Sequence, residues 1–141
     1  MERLTCNIGE YGVIINQQNE LLILKLPINK EFTKEAWMFP GGRLNADDQP
    51  EFGLKREVLE ETGLRIKVIS PVHVARWGIE NPPKYSVFFL CKLNGKRTVK
   101  ISHEHTEFRW VSFSEIEKIP WHNINSKIAA KKSKSLIVND F

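Results

Sequence analysis

Residues Phe39 to Leu64 read FPGGRLNADDQPEFGLKREVLEETGL, and the second half carries Arg56, Glu57, Glu60 and Glu61 before closing on Thr62-Gly63-Leu64. On a helix, Glu57, Glu60 and Glu61 stand at i, i+3 and i+4, so the three carboxylates share one face. The arrangement opposes the helix that carries it. Like charges at these spacings repel by roughly 0.2–0.5 kcal/mol per pair. Glu60 and Glu61 also fall in the last turn, where the helix dipole disfavours negative charge. A local rule broken in this way marks a functional site, and one or more divalent cations are the natural compensation.

The helix is bounded at both ends. Pro50 suits the first helical position, after Asp48 or Gln49 as cap, and Gly63 suits a stop after about Thr62. Gly53 weakens the helix interior by about 1 kcal/mol relative to alanine, and reads as a close-packing position where the helix lies on a sheet. Upstream, residues 36–39 form a short strand ended by Pro40. Gly41 and Gly42 then open backbone conformations closed to other residues and let a ligand or ion approach closely. A polar loop over 43–49 leads into the helix.

Farther out, strands dominate. Residues 12–16 and 21–26 are aliphatic runs that read as a hairpin about 17–20. The second is apolar until Lys25, which predicts a central strand covered on both faces; Pro27 ends it, and 28–34 is a polar loop. Residues 64–74 alternate as a strand interrupted at Pro71, and 75–84, with Gly78, Pro82 and Pro83, read as a loop. YSVFFLCKL, residues 85–93, is the strongest strand signal; of Phe88 and Phe89, one faces the core and the other the opposite layer. Asn94-Gly95 predicts a hairpin turn, with a return strand over 98–101 and a further strand over 107–111. Ser112-Phe113-Ser114-Glu115 is a capping-box pattern opening a short helix that stops at Pro120, and 123 to about 136 has helical spacing. Most strand links are too short for parallel crossovers, so the sheet is expected to be mixed or largely antiparallel. The class is α+β, in an α/β/α sandwich arrangement.

Composition narrows the function. The 141 residues, 41% hydrophobic and 27% charged, fit one ordered domain spanning 1–141. No apolar run approaches the roughly 20 residues needed to span a membrane, and MERLTCNIGE lacks the apolar core of a signal peptide, which points to the cytoplasm. Cys6 and Cys91 have no CxxC partner and read as packing residues. A net charge of +4 suits an anionic substrate by electrostatic steering, without the concentrated basic signature of a dedicated nucleic-acid binder. Lys127, Lys131, Lys132 and Lys134 read as a solvated helix face. Trp37, Trp77, Trp110 and Trp121 read as packing residues rather than base-stacking platforms.

A glycine loop beside an acidic helix offers carboxylates and backbone carbonyls, the hard oxygen ligands that Mg²⁺ or Mn²⁺ prefer. Such ions polarise phosphoryl oxygens and activate water. The chemistry favoured is metal-assisted attack of water on a phosphoanhydride. Arg56 points about 100° round the helix from Glu57 and is placed to brace the loop or a neighbouring carboxylate. His103-Glu104-His105 lacks the i, i+4 histidine pair of a zinc-protease motif, so its histidines read as non-ligands.

Gly42, Arg56-Glu57-Val58, Glu60-Glu61 and Gly63-Leu64 together resemble the Nudix hydrolase signature, G-x5-E-x7-R-E-U-x-E-E-x-G-U with U aliphatic. Asp48 stands where the pattern has glutamate. The flanks are similar to family members too: Trp37-x-Phe39-Pro40-Gly41-Gly42 on one side, and Glu104, Glu107, Trp110 and Val111 on the other. The resemblance implies a Nudix fold, a mixed sheet between helices, and a MutT-like pyrophosphohydrolase using Mg²⁺ or Mn²⁺. It implies that the Gly41 carbonyl, Glu57 and Glu61 bind the divalent cations, with Glu60 as a further ligand. Glu57, or a later carboxylate from Glu104 or Glu107, would help activate water. Glu57, Glu60, Arg56 and Glu104 are thus the catalytic candidates, with Gly42 and Asp48 bracing the loop. The implied partner is a small nucleotide, a nucleoside triphosphate or nucleotide sugar, with no membrane and no dedicated nucleic-acid partner; the family admits a homodimer. Two competing readings are a non-catalytic nucleotide-binding regulatory module on the same fold and an RNA 5′-end pyrophosphohydrolase, the latter motivated by the basic C-terminal segment.

Overall fold

The computed structural model describes residues 1–95 and 98–140, the last three of these by their backbone alone. Its strands are β1 (Asn7–Ile15), β2 (Glu20–Lys25), β3 (Trp37–Met38), β4 (Gly41–Arg43), β5 (Ile66–Trp77), β6 (Lys84–Leu93) and β7 (Glu107–Ser112). Helix α1 spans Pro50–Thr62, a 3₁₀ helix Phe113–Lys118, and helix α2 Ile124–Asp140.

The run Leu21-Leu22-Ile23-Leu24 sets the middle of the molecule. Alternate side chains of a strand point to opposite faces. Leu21 and Ile23 join one apolar cluster with Phe39, Phe88 and Ala129, and Leu22 and Leu24 join another with Leu54, Val58 and Cys91. A strand apolar on both faces has to be covered on both. Here α2 covers the first face and α1 the second, giving the expected sandwich. Phe88 sits in the first cluster and Phe89 packs against the second, as their adjacency requires.

The sheet runs β3-β2-β1-β6-β5, with β4 also pairing β1 and β7 also pairing β2. Among the described pairs of strands only β1 with β6 is parallel, so the sheet is mixed and largely antiparallel. This pairing corrects one expectation: β1 begins at Asn7, well before the aliphatic run at 12–16. Gly9, Glu10 and Gly12 break the local pattern, and the ladder with β6 supplies what propensity does not. The predicted interruption at Pro71 is likewise absent. β5 is the edge strand, where a missing N–H leaves no ladder bond unmade, and register shifts at Val68/Ser70 and Pro71/His73 absorb the irregularity. The strand therefore continues to Trp77, and the loop shrinks to 78–83.

Two further expectations change. Residues 98–101 form no return strand; their backbone serves the end of α1 instead, as described below. Lys96 and Arg97, inside the expected hairpin, lie outside the described residues. The basic C-terminal run is not a purely solvated face: Lys127 and Lys131 pair with Glu117, and Lys132 Nζ lies 3.0 Å from His73 Nδ1. Cys91 is buried and Cys6 half-buried, both as free thiols. No helix among the described residues is long and apolar enough to cross a membrane.

Candidate active site

The last turn of an α-helix leaves carbonyls without partners inside the helix. In α1, Gly63 takes the left-handed conformation at φ 72° and its N–H donates to the Leu59 carbonyl. The last two carbonyls of the helix are taken from outside. Lys100 N–H donates to Thr62 O at 2.9 Å, and Ser102 N–H donates to Glu61 O at 3.1 Å. The loop over 98–106 is thereby tied to the helix end, which brings Glu104 and His105 next to Glu61. One ligand atom from each of these three residues lies within 4.8 Å of the others.

The glycine loop approaches from the opposite side. β4 pairs antiparallel with β1, placing Gly41 opposite Tyr11 and Gly42 opposite Glu10. A Cβ on Gly41 would stand 2.0 Å from the Glu10 carbonyl oxygen and 2.7 Å from Tyr11 Cα, so no other residue fits. Gly41 N–H donates to Glu61 Oε1 at 2.7 Å, joining loop and helix. A Cβ on Gly42 would stand 2.7 Å from Glu57 Oε2; its absence lets that carboxylate lie against the loop. Gly53 is the close-packing position expected of it, with 2.9 Å between its notional Cβ and Glu10 Oε1. Arg56 Nη1 donates to both oxygens of Asp48 at 2.8 Å, and its Nη2 stands 3.6 Å from Glu57 Oε1. Asp48, one methylene shorter than glutamate, thus still anchors the loop to α1.

Placement separates the candidate carboxylates. Glu61 is buried, Glu57 half-buried and Glu60 exposed, and neither Glu57 nor Glu60 belongs to the close group around Glu61. Glu104 belongs to it. Glu107 does not: its carboxylate lies 3.2 Å from Arg109 Nε and 3.8 Å from Lys25 Nζ. Glu104→Gln is therefore expected to lower kcat by roughly 10–100-fold, while Glu107→Gln leaves it within about twofold of wild type; steady-state kinetics on the two variants side by side decides this.

Electrostatics reflect crowding. Burial pushes Glu61 up to about 8, the Gly41 N–H pulls it back, and the charges of Glu104 and Glu57 push it up further. Burial and the neighbouring Glu60 raise Glu57, the Arg56 guanidinium offsetting part of this. Hydrogen bonds from Arg56 hold Asp48 below the usual carboxylate range. Burial lowers His105. These donors fit a divalent cation: carboxylates crowd a part-buried point where, among the described residues, the cation that offsets their mutual repulsion is Arg56, which is turned to Asp48. A bound cation would supply polarisation of phosphoryl oxygens and neutralise the carboxylates.

Sequence patterns did not point to Glu10. It is 1% exposed, its Oε2 has no hydrogen-bond partner, and burial followed by the charge of Asp48 raises it to about 7. A carboxylate within NIGEYGVII was the available signal. Also unexpected is a cleft on the α2 face, lined by Tyr11, Met38, Trp77, Lys84, Phe88 and His122 among others. Lys84 Nζ donates to Tyr11 OH at 2.8 Å and stands 4.3 Å from the Trp77 ring centroid. Trp77 is thus a cleft wall rather than a packing residue alone. The Tyr11 ring also abuts Gly41, with 2.8 Å from its Cδ1 to the notional Gly41 Cβ, so cleft and carboxylate site meet there.

Fold and site together match a known class. The NUDIX domain family model matches residues 10–131. A MutT-like protein of Streptomyces ambofaciens is 31% identical over 114 residues, covering 79% of this chain and 68% of that one. An RNA pyrophosphohydrolase of Zymomonas mobilis is 26% identical over 136 residues, covering 85% and 86%. The crystal structure of a MutT protein from Methanosarcina mazei Go1 superposes with a TM-score of 0.76 over 97% of this chain and 99% of that one, at 24% identity, a likeness of fold. The chain belongs to the Nudix family of hydrolases. It is an enzyme of the Nudix pyrophosphohydrolase type.

Proposed function

We propose that the protein hydrolyses a phosphoanhydride in a nucleoside diphosphate linked to another moiety, with a nucleoside triphosphate or nucleotide sugar as substrate. The junction at Tyr11 and Gly41 carries this reading: an aromatic cleft with one ammonium group opens beside a loop bonded to a buried glutamate. Mg²⁺ or Mn²⁺ would be held by the Gly41 carbonyl, Glu57, Glu60, Glu61 and Glu104. Arg56 and Asp48 keep the Gly41–Gly42 loop against α1, and Glu57 or Glu104 accepts the proton of the attacking water. In the cleft, the faces of Trp77 and Tyr11 stack a planar base, and the Lys84 ammonium donates to an acceptor on it. A free nucleotide in the cytoplasm is the partner this supports. The basic run offers little track for an RNA backbone, because Lys127, Lys131 and Lys132 are engaged by Glu117 and His73.

The test is a panel of nucleoside triphosphates, nucleotide sugars, dinucleoside polyphosphates, ADP-ribose and 5′-triphosphorylated RNA, with Mg²⁺ or Mn²⁺ and product identification. The expected result is metal-dependent release of a nucleoside monophosphate from a small nucleotide, with RNA turned over more slowly. Lys84→Met is expected to raise KM roughly tenfold, the worth of a charged hydrogen bond, with kcat little changed. Tight nucleotide binding without turnover across the panel would instead identify a regulatory module.

A further inference from the structure

His105 is 6% exposed. Its Nδ1 is sealed from solvent and has no hydrogen-bond partner. A buried ring nitrogen without a partner is costly, since desolvation is not repaid by a bond. The ring nevertheless contributes one of the three ligand atoms that lie within 4.8 Å of one another, the other two being carboxylate oxygens of Glu61 and Glu104. Among the described residues, no hydrogen bond or ion pair joins the ring to either carboxylate. Separations of at most 4.8 Å suit a shared ion, since ligand distances of about 2.0–2.2 Å on each side span up to ~4 Å. Glu104 is exposed and has room to adjust. The backbone fixes the ring's place: His105 N–H donates to Ser102 O, and Ser102 N–H donates to Glu61 O.

We propose that His105 is a nitrogen ligand to the divalent cation held between Glu61 and Glu104, so that this site takes Mn²⁺ or Co²⁺ in preference to Mg²⁺. The inference rests on the reading that these carboxylates hold a cation. Imidazole is a softer donor than carboxylate and suits transition metals, whereas Mg²⁺ takes oxygen ligands and keeps its waters. One nitrogen in an otherwise oxygen site therefore tilts selection towards the transition ions without excluding Mg²⁺.

Pulsed electron paramagnetic resonance of the protein loaded with Mn²⁺ tests this independently of turnover. The expected spectrum shows coupling to one directly bound nitrogen. Labelling the histidines with ¹⁵N shifts the coupling to the ¹⁵N pattern, which assigns it to a histidine without mutation. His105→Gln is expected to abolish the coupling and weaken Mn²⁺ binding roughly 10–100-fold, while His103→Gln retains both. An excess of Mg²⁺ of about tenfold should leave the coupled signal in place. Bound Mn²⁺ with no histidine coupling, or coupling that survives in His105→Gln, would overturn the assignment. Mn²⁺ binding unaffected in both Glu61→Gln and Glu104→Gln would instead overturn the cation site itself.

Discussion

Glu61→Gln is expected to cost at least about 10²-fold in kcat/KM and leave the protein folded. The loss follows from removing a charged oxygen from the place where transition-state charge is met. Folding survives because glutamine keeps the acceptor that Gly41 N–H requires at 2.7 Å. In mild alkali and without metal, Glu61→Gln should even be more stable than wild type. The folded Glu61 titrates near 8 against an ordinary 4.5, so the carboxyl binds its proton more tightly in the folded chain. Its contribution to stability is complete below about 4.5 and is lost as pH rises through about 8. In EDTA, the wild-type Tm should therefore fall between pH 5 and pH 8, with a shallower fall in Glu61→Gln, where Glu10 still titrates near 7. Mn²⁺ should raise the wild-type Tm at pH 8 through binding to the folded state, and raise that of the variant less. Full activity in Glu61→Gln would show that the metal site lies elsewhere.

Gly41→Ala should have the largest effect on stability. The added methyl would lie 2.0 Å from the Glu10 carbonyl oxygen and 2.7 Å from Tyr11 Cα, both backbone atoms of the neighbouring strand. β4 has to separate from β1 to admit it. A cost of about 3 kcal/mol or more is expected, which for a chain of this size lowers Tm by roughly 6–12 °C. Activity should fall with it, since Gly41 N–H holds Glu61. Gly42→Ala meets the end of the Glu57 side chain, which can swing away, so Tm should change by only a few degrees while activity falls. Thermal denaturation of both variants separates the cases, and a Gly41→Ala protein melting with wild type would refute the close strand approach.

The acidic helix was readable because its signals are local. Pro50, Gly63, the carboxylate spacing and the paired glycines all lie within one stretch, and each has a single physical meaning. The two-faced β2 was readable for the same reason. What escaped depends on partners distant in sequence. The first half of β1 is a strand because β6 pairs with it, and nothing in NIGEYG signals that. Residues 98–101 have β-forming composition, but the N–H groups of Lys100 and Ser102 go to the carbonyls of α1, a tertiary demand that no local pattern expresses. One difference between Glu104 and Glu107 is local. Glu107 and Arg109 stand two apart on a strand, hence on one side, and a carboxylate with such a neighbour is already engaged. His105 was set aside on motif grounds alone, although burial and its place beside Glu61 come from the fold.

Glu10 and Tyr11 are consecutive, and a strand sends consecutive side chains to opposite sides. Glu10 turns towards α1 and Gly53, and Tyr11 turns towards Phe88 on the α2 side, 5.3 Å between ring centroids. The sheet thus acts as a partition wall, with the carboxylates of α1 on one side and the aromatic cleft on the other, the two meeting at Tyr11 and Gly41. Away from Tyr11 and Gly41, substitutions on one side of the sheet need not disturb the other. On the proposed reading of the cleft, a lineage could exchange Lys84, Trp77 or His122 and move to a new nucleotide while keeping the carboxylate site. On that reading the same wall accounts for a motif that discloses the reaction but not what is hydrolysed: the carboxylates of α1 lie across the sheet from the cleft proposed for the base.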